Sequence, residues 1–266
     1  MRHRSLTALP VYNEAAHVRE ALAGALRYGD EVLVVDDGST DGTSALLAQC
    51  DGIHLITHPR NRGYGAALRS AFEFACGGGY DVLVTIDCDG QHQPQLIPRF
   101  VEAVGLGTDA EFDVVSGSRY LRPLSGNTRP PADRRRINRT ITEELNRRLG
   151  LQLTDAFCGF KAYRTETLAA IDVTETGYGM PLEFWVRAAQ AGLKITELPV
   201  PLIYLDEERS FGGAMDDADV RLAVYREVLR ESLASGPQSA AAQNTAAQST
   251  ATQSTATRCA CNEGVA

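Results

Sequence analysis

Strand-like and helix-like patterns alternate through the first half of the chain, and this alternation restricts the fold more than any other feature. The apolar runs at residues 31–35 and 80–86 are short and rich in β-branched side chains, as fully buried strands are. Outside these runs, apolar residues recur at helical spacing, for example over residues 18–26, just before the run at 31–35. Strands and helices joined by short loops predict an α/β fold, in which a mostly parallel sheet carries helices on both faces.

The same patterns predict the individual elements. We place strands at residues 4–9, 31–35, 53–57, 80–86, 113–120 and 194–205, with a further strand inside residues 155–164. Helical patterns cover residues 18–26, 68–75, 96–104, 137–145, 181–192 and 215–234, and a short helix ends near residue 49. Pro10 ends the first strand, and residues 10–14 form a loop. The unusual polar loops follow strands, so we expect them to share one edge of the sheet.

Two carboxylates follow the strand predicted at residues 80–86. On an extended backbone, Asp87 and Asp89 point to the same side, and Gln91 lies one step further along. Two carboxylates and an amide oxygen are hard ligands that suit Mg²⁺ or Mn²⁺. In open α/β sheets, ligands bind beyond the carboxyl ends of the strands, which is where this motif lies. The alternative interpretation is a solvated turn with a helix cap, and for this spacing alone the alternative is the commoner one.

A second polar feature is basic. Residues 134–139 contain four arginines, although the whole chain has a formal net charge of -8. The apolar stripe of the predicted helix leaves Arg135 and Arg139 one turn apart on its other side. The local excess of arginine favours a cationic rim for phosphate groups, which guanidinium binds through its fork of donors. A solvated basic face is the alternative.

Composition excludes several classes of protein. The acidic balance argues against nonspecific binding of nucleic acid. The longest apolar runs are far shorter than a membrane span, and the basic N-terminus lacks the apolar core of a secretory signal. The six cysteines show no zinc-like paired spacing, so we expect a reduced, cytoplasmic protein. No Gly-x-Gly-x-x-Gly follows the first strand, which disfavours a nicotinamide dehydrogenase.

The chain divides into two parts by composition. Residues 1–234 are predicted to form one catalytic domain. Residues 235–266 repeat Ala, Gln, Ser and Thr and contain almost no bulky apolar side chain. Such a segment cannot offset the entropy lost on ordering, so we predict a disordered tail.

These motifs together resemble family-2 glycosyltransferases of the GT-A fold, a Rossmann-like fold. Within that family the chain looks most like the polyprenyl-phosphate (dolichyl-phosphate) mannose and glucose synthases. The landmarks follow the family's order over roughly residues 5–213. They are Pro10-Val11-Tyr12-Asn13-Glu14, Val35-Asp36-Asp37-Gly38-Ser39-Thr40-Asp41-Gly42-Thr43, Asn61-Arg62-Gly63, Asp87-Cys88-Asp89-Gly90-Gln91-His92, Gly117-Ser118-Arg119-Tyr120, Asp155 with Gly159-Phe160, Glu183, and Glu197-Leu198-Pro199-Val200.

The resemblance implies a metal-dependent hexosyltransferase that inverts the anomeric centre. By the same resemblance we expect a sugar nucleotide, GDP-mannose or UDP-glucose, as the donor and a polyprenyl phosphate as the acceptor, reached through peripheral contact at the cytoplasmic face of a membrane. The implied nucleotide-sugar pocket consists of Pro10, Tyr12, Glu14, Asp37 and Asp87, and the implied ligands of Mg²⁺ or Mn²⁺ are Asp87, Asp89 and Gln91. Arg119, Arg135 and Arg139 receive phosphate, and the catalytic set is Asp89, Asp155, Arg119 and Arg209, the last on a closing loop.

The acceptor stays open at this point. An ionised phosphate acceptor needs positioning more than a base, whereas a hydroxyl acceptor requires a carboxylate base, with Asp155 as first candidate and Glu183 as second. The closing loop Arg209-Ser210-Phe211-Gly212-Gly213 lacks the lysine found in the polyprenyl-phosphate synthases. A cytosolic glycosyltransferase with a soluble or polysaccharide acceptor is therefore the alternative.

Two further classes fit less well. A nucleotidyltransferase usually has a glycine-rich, basic loop after its first strand, and residues 10–14 contain neither glycine nor a basic side chain. A non-enzymatic nucleotide-binding module would be favoured by a broken metal motif, but the acidic motif is complete. We also predict that His92 is a surface or helix-capping residue.

Overall fold

A computed structural model of the chain describes residues 3–109, 111–204 and 212–236. The strands are β1 (Ser5–Val11), β2 (Glu31–Asp36), β3 (His54–Thr57), β4 (Val82–Thr85), β5 (Val114–Ser118), β6 (Lys161–Arg164) and β7 (Ile195–Pro199). The helices are α1 (Val18–Tyr28), α2 (Thr43–Leu47), α3 (Tyr64–Gly77), α4 (Ile97–Ala103), α5 (Ala132–Leu149), α6 (Thr165–Leu168), α7 (Met180–Gln190) and α8 (Ala218–Ala234). Short 3₁₀ helices lie at Pro94–Leu96 and Gly213–Asp216.

The strands form one sheet in the order β3-β2-β1-β4-β6-β5-β7. β1 is parallel to β2 and β4, β2 to β3, and β5 to β7, whereas β6 runs antiparallel to both of its neighbours. The predicted mostly parallel sheet is confirmed. Because β6 is reversed, it begins where the other strands end, and residues 155–160 therefore lie at the carboxyl edge of the sheet.

Helices cover both faces of the sheet, and the side chains of β2 show why its sequence is continuously apolar. Leu33 and Val35 belong to the core that includes residues of α3, α5, α7 and α8. Val32 and Val34 belong to the opposite core, which contains residues of α1, α2 and α4. Successive side chains of a strand point to opposite faces, so a strand buried on both faces has no polar alternation.

Several predicted boundaries were wrong. β1 continues through Pro10 to Val11, although proline was expected to end it. β4 pairs with β1 only as far as Ala8, whose carbonyl accepts a hydrogen bond from the Ile86 N–H on that side. Pro10 faces the same side two residues later, so its missing N–H costs no ladder bond. The strand expected at residues 194–205 ends at Pro199.

The last helix begins at Ala218 instead of residue 215, because Asp217 caps it. The Asp217 carboxylate accepts hydrogen bonds from the N–H groups of Asp219 and Val220, both at 2.9 Å. The predicted tail falls outside the described residues except for residues 235 and 236, so the domain boundary stays a prediction. No helix in the described ranges has the length and apolar character that crossing a bilayer requires.

Candidate active site

A cavity of about 520 Å³ opens at the carboxyl edge of the sheet, a size that suits a small-molecule ligand. Its walls come from the ends of β1, β2, β4 and β5 and from the adjoining parts of α3, α5, α7 and α8. The predicted site residues among its lining are Pro10, Tyr12, Glu14, Asp37, Asp87, Asp89, Gln91 and Arg119. The expectation that polar strand-end loops meet at one edge therefore holds for these residues.

The other predicted residues lie elsewhere. Arg135 lines a neighbouring cavity that shares Arg119 with the first. Arg139 is exposed and is absent from the lining of both cavities. Asp155 is completely buried behind Arg119. Arg209 lies outside the described residues.

The acidic motif is held by contacts from distant segments. The Tyr64 hydroxyl donates a hydrogen bond to Asp87 Oδ1 at 3.0 Å. A Cβ atom at Gly159 would collide with the Asp87 carboxylate, so only glycine permits this approach. The Asp87 N–H donates to His92 Nδ1 at 2.9 Å, which leaves the proton of a neutral imidazole on Nε2. The His92 side chain is 7% exposed and contacts the Asp87 backbone, so the prediction of a surface or helix-capping residue was wrong.

The donor chemistry of this motif fits a divalent cation. The carboxylates of Asp87 and Asp89 line the same cavity as Gln91, and Asp89 Oδ1 accepts a hydrogen bond from the Gln91 N–H at 3.0 Å. Residues 3–109, 111–204 and 212–236 contain no cluster of three or more His, Cys, Asp or Glu side chains suited to enclosing a metal. Mg²⁺ typically takes only one or two protein carboxylates and completes its shell with water and substrate phosphates. The residues present therefore suit an ion shared with a phosphate ligand.

Asp37 organises the opposite side of the cavity. Its Oδ1 accepts from the Arg62 N–H at 2.9 Å, and its Oδ2 accepts from the Gly63 N–H at 2.7 Å. His58 Nδ1 lies 2.6 Å from Asp37 Oδ1, and His58 Nε2 lies 2.9 Å from the hydroxyl of Ser70. Both Asp37 and His58 are buried. The carboxylate thus fixes the loop that precedes α3 against the cavity wall.

Arg119 and Asp155 form a buried ion pair beside the acidic motif. The guanidinium donates from Nε to Oδ2 at 2.6 Å and from Nη2 to Oδ1 at 2.9 Å. Asn138 adds a hydrogen bond to Asp155 Oδ1 at 2.7 Å. Burial alone would raise the pKa of Asp155, but the charge of Arg119 and these hydrogen bonds outweigh burial and lower it. Asp155 is therefore an ionised anchor for Arg119 that does not line the cavity.

Glu183, the second candidate base, also lies away from the cavity lining. Its carboxylate accepts from the N–H groups of Thr174 and Glu175 at 2.9 and 2.7 Å, and it pairs with Arg187 at 3.1 Å. The side chain is 4% exposed. Glu183 therefore stabilises the loop before α7 and is not placed to act as a base.

Several cavity residues were missed from the sequence. Tyr64 and Tyr178 stack at 5.9 Å between ring centroids, and both line the cavity. No local pattern marks them, because they meet only in the folded chain. Arg134 also lines the cavity, and here a signal existed: it lies three and four residues before Ile137 and Asn138, which face the same way. The predicted arginine run therefore does reach the site, through Arg134 instead of Arg139.

Sequence comparisons identify relatives over most of the chain. The sequence model described as Glycosyl transferase family 2 matches residues 7–171. The undecaprenyl-phosphate mannosyltransferase of Micrococcus luteus is 36% identical over 82% of this chain and 92% of its own length. The polyprenol monophosphomannose synthase of Mycolicibacterium smegmatis is 33% identical over 84% of this chain and 85% of its own length.

Solved structures show the same architecture at lower sequence identity. Glucosyl-3-phosphoglycerate synthase from Mycobacterium tuberculosis, crystallised with phosphoglyceric acid, superposes with a TM-score of 0.66 and 20% identity. The match covers 89% of this chain and 82% of that one. A complex of the same enzyme with Mn²⁺, UDP and glucosyl-3-phosphoglycerate gives a TM-score of 0.65 and 19% identity over the same shares of the two chains. At these identities the likeness establishes the GT-A fold.

Proposed function

Because the chain belongs to glycosyl transferase family 2, we propose that it moves a hexose from a sugar nucleotide to a polyprenyl phosphate and inverts the anomeric centre. The chain is a glycosyltransferase, and its relatives from Micrococcus luteus and Mycolicibacterium smegmatis are named for undecaprenyl phosphate and polyprenol monophosphomannose. Both relatives are covered over most of their length, which supports carrying the acceptor class to this chain.

One observation carries the proposal. The same cavity is lined by the Asp87 and Asp89 carboxylates and by Arg119, whose direction is fixed by buried Asp155. A reaction between a sugar nucleotide and a phosphate acceptor needs positive charge at two places, one beside the donor diphosphate and one beside the acceptor phosphate. The acidic motif would hold a divalent ion, which would supply positive charge near the donor diphosphate, and Arg119 would bind the acceptor phosphate.

The donor side of the cavity is the wall formed by Pro10, Tyr12, Glu14 and Asp37. The exposed ring of Tyr12 offers a stacking surface for a base, and Asp37 offers a carboxylate to base or ribose hydroxyl groups. Asp37 can hold this position because loop N–H groups and His58 already fix it. GDP-mannose and UDP-glucose are the two donors to compare.

Asp87, Asp89 and Gln91 would hold Mg²⁺ or Mn²⁺. When bound, such an ion supplies positive charge that stabilises the diphosphate leaving group. Asp87 would be oriented for this role by Tyr64 and by the space that Gly159 leaves open. The protein's own contribution here is to place these oxygens at the cavity before substrate binds, with Asp87 oriented by its contacts to other segments.

The acceptor side needs orientation more than proton transfer. A phosphate monoester is largely ionised near neutral pH, so its oxygen can attack without a general base. Arg119 and Arg135 would bind its other oxygens, and Arg134 adds a third cation at the cavity wall. Attack from the side opposite the diphosphate gives inversion. Arg209 and Arg139 stay predictions for this role, since one lies outside the described residues and the other is exposed.

The proposal is tested by incubating the purified chain with Mn²⁺ or Mg²⁺, either GDP-mannose or UDP-glucose, and detergent-dispersed undecaprenyl phosphate. We expect a glycolipid product with one donor and none after chelation of the metal. A parallel reaction with 3-phosphoglycerate replaces the lipid by a soluble phosphate acceptor. Transfer only to the soluble acceptor would overturn the lipid assignment while leaving the family intact.

A further inference from the structure

The segment that joins β5 to α5 is basic and exposed. Residues 119–131 contain three arginines and no aspartate or glutamate, in a chain with net charge -8. A second cavity of about 480 Å³ lies against this segment. Arg119, Arg122, Arg129 and Arg135 line it, and no acidic residue of the described ranges 3–109, 111–204 and 212–236 does. The cavity therefore concentrates positive charge in a molecule that is negative elsewhere.

Two arginines at the rim lie open to solvent in the described part of the chain. Arg122 and Arg129 are exposed, and neither pairs with a carboxylate among residues 3–109, 111–204 and 212–236. Leu121, beside Arg122, leaves 41% of its surface exposed and so adds an apolar contact at the same rim. A guanidinium without a carboxylate partner keeps all its donors for phosphate oxygens.

The segment is held in place by hydrogen bonds to the chain that follows β7. The Thr128 N–H donates to the Leu202 carbonyl at 2.7 Å, and the Leu202 N–H donates to Asn127 Oδ1 at 2.9 Å. The Tyr204 N–H donates to the Thr128 hydroxyl at 2.7 Å. These bonds present the rim as a preformed surface, which lowers the entropy lost on binding.

We infer that residues 121–130 and the cavity beside them form a docking surface for the headgroups of an anionic phospholipid bilayer. Clustered arginines attract anionic lipid, and an adjacent exposed leucine can enter the interfacial layer. The second cavity shares Arg119 and Tyr120 with the first, so the docked surface leads directly to the reaction cavity. The purpose of the surface, to bring a lipid-linked phosphate to Arg119, rests on the proposed function, but binding itself can be measured without it.

The test is sedimentation of the full chain with vesicles of phosphatidylcholine alone or of equal parts phosphatidylcholine and phosphatidylglycerol. The Arg122→Gln/Arg129→Gln double variant is compared with Arg19→Gln/Arg99→Gln. Arg19 and Arg99 are exposed on α1 and α4, on the opposite face of the sheet from α5, so both variants lose the same charge. Circular dichroism confirms that each is folded.

We expect wild-type protein to prefer the anionic vesicles, and the Arg122/Arg129 variant to bind them about thirtyfold more weakly. The Arg19/Arg99 variant should stay within about twofold of wild type. Equal binding of wild-type protein to both vesicle types would overturn the proposed docking surface. Equal weakening of anionic-vesicle binding in the two variants would also overturn it. Transfer to detergent-dispersed undecaprenyl phosphate is measured separately with wild-type protein. Absence of this transfer would count against the proposed function. The vesicle results would still show whether the docking surface binds anionic lipid.

Discussion

The guanidinium of Arg119 donates two parallel hydrogen bonds to the carboxylate of Asp155, at 2.6 and 2.9 Å. Arg119 lines the reaction cavity, whereas Asp155 is completely buried behind it. Paired, fork-like hydrogen bonds fix the plane of a guanidinium as well as its position. Asp155 therefore fixes the direction of the Arg119 guanidinium in the cavity, and we propose that it is a positioning residue for the phosphate ligand that Arg119 would bind.

The Asp155→Asn variant should distinguish a positioning role for Asp155 from a role as general base in the transfer reaction. The change leaves Arg119 without its charge partner, and breaking a buried pair in this way costs about 3–5 kcal/mol. We expect a loss of unfolding free energy of about that size in urea denaturation, and a raised KM for the acceptor with an unchanged KM for the donor. Asp219→Asn is the control, because Asp219 makes an exposed pair with Arg136. Equal stability of the two variants would contradict a positioning role for Asp155.

Asp89→Asn tests the metal assignment. An amide oxygen binds Mg²⁺ or Mn²⁺ less strongly than a carboxylate, so we expect metal-dependent transfer to fall at least about a hundredfold, equivalent to about 2.7 kcal/mol in the barrier. Titration with Mn²⁺, followed by its paramagnetic resonance signal in the presence of a nucleoside diphosphate, should show weaker binding. Asp51→Asn removes an exposed acid outside the cavity and should behave as wild type. Unaltered Mn²⁺ binding in a folded Asp89 variant would remove this residue from the metal site.

His58→Ala tests whether His58 holds Asp37 in place in the proposed donor pocket. His58 lies between Asp37 and Ser70, and its loss leaves the buried Asp37 carboxylate with one hydrogen bond fewer. A hydrogen bond to a charged group contributes about 1.5–3 kcal/mol, so we expect the KM for the sugar nucleotide to rise about tenfold or more. The kcat at saturating donor should change little. A drop in kcat with unchanged donor KM would argue that His58 serves another step.

The sequence was most informative where strand ends dictate position. Parallel strands end at one edge, so the side chains of Asp37, Asp87 and Arg119 could be expected to meet there. Contacts between distant segments were not visible in advance. Asp155 is 36 residues from Arg119, and nothing in its local pattern indicates that its charge is buried and paired. The reversal of β6 was equally hidden, because a strand of four residues carries no signal of its direction.

Glu31→Gln offers a pH-dependent test of the fold, away from the cavity. The Tyr80 hydroxyl and the Arg4 guanidinium donate to the Glu31 carboxylate at 2.7 and 3.0 Å and lower its pKa to about 2. Its ordinary pKa in an unfolded chain is about 4.3. The folded state thus favours the ionised form, and this stabilisation is present above about pH 4.3 and is lost as the pH falls toward 2.

Because Glu31 is partly exposed, the glutamine variant should be less stable near neutral pH by no more than about 1 kcal/mol. The difference in unfolding free energy between variant and wild type should shrink as the pH is lowered from 7 to about 3. Urea denaturation of both proteins at several pH values measures this difference in unfolding free energy. A difference that stays constant over this range would show that the charge of Glu31 is not its source.

Arg135 and Arg139 form a matched pair for the acceptor site, since both lie on α5 one turn apart. Arg135 lines the second cavity and stacks on Tyr120, with its guanidinium carbon 3.7 Å from the ring centroid. Arg139 is exposed and absent from both cavity linings. A phosphate bound at the shared edge of the two cavities would therefore meet the first guanidinium and not the second. We expect Arg135→Ala to raise the acceptor KM about tenfold, as loss of a hydrogen bond to a charged group does, and Arg139→Ala to raise it far less.

Steady-state kinetics with varied undecaprenyl phosphate and saturating donor measure both single variants under the same conditions. The stacked position of Arg135 makes Arg135→Lys a useful third variant, because lysine keeps the charge but loses the planar fork. Full recovery of the acceptor KM by lysine would indicate a purely electrostatic contribution, and no recovery would indicate that the fork itself binds phosphate. Partial recovery would show that charge and fork both contribute. An effect of Arg139→Ala as large as that of Arg135→Ala would mean that the acceptor approaches along the exposed face of α5 instead of through the shared edge of the cavities.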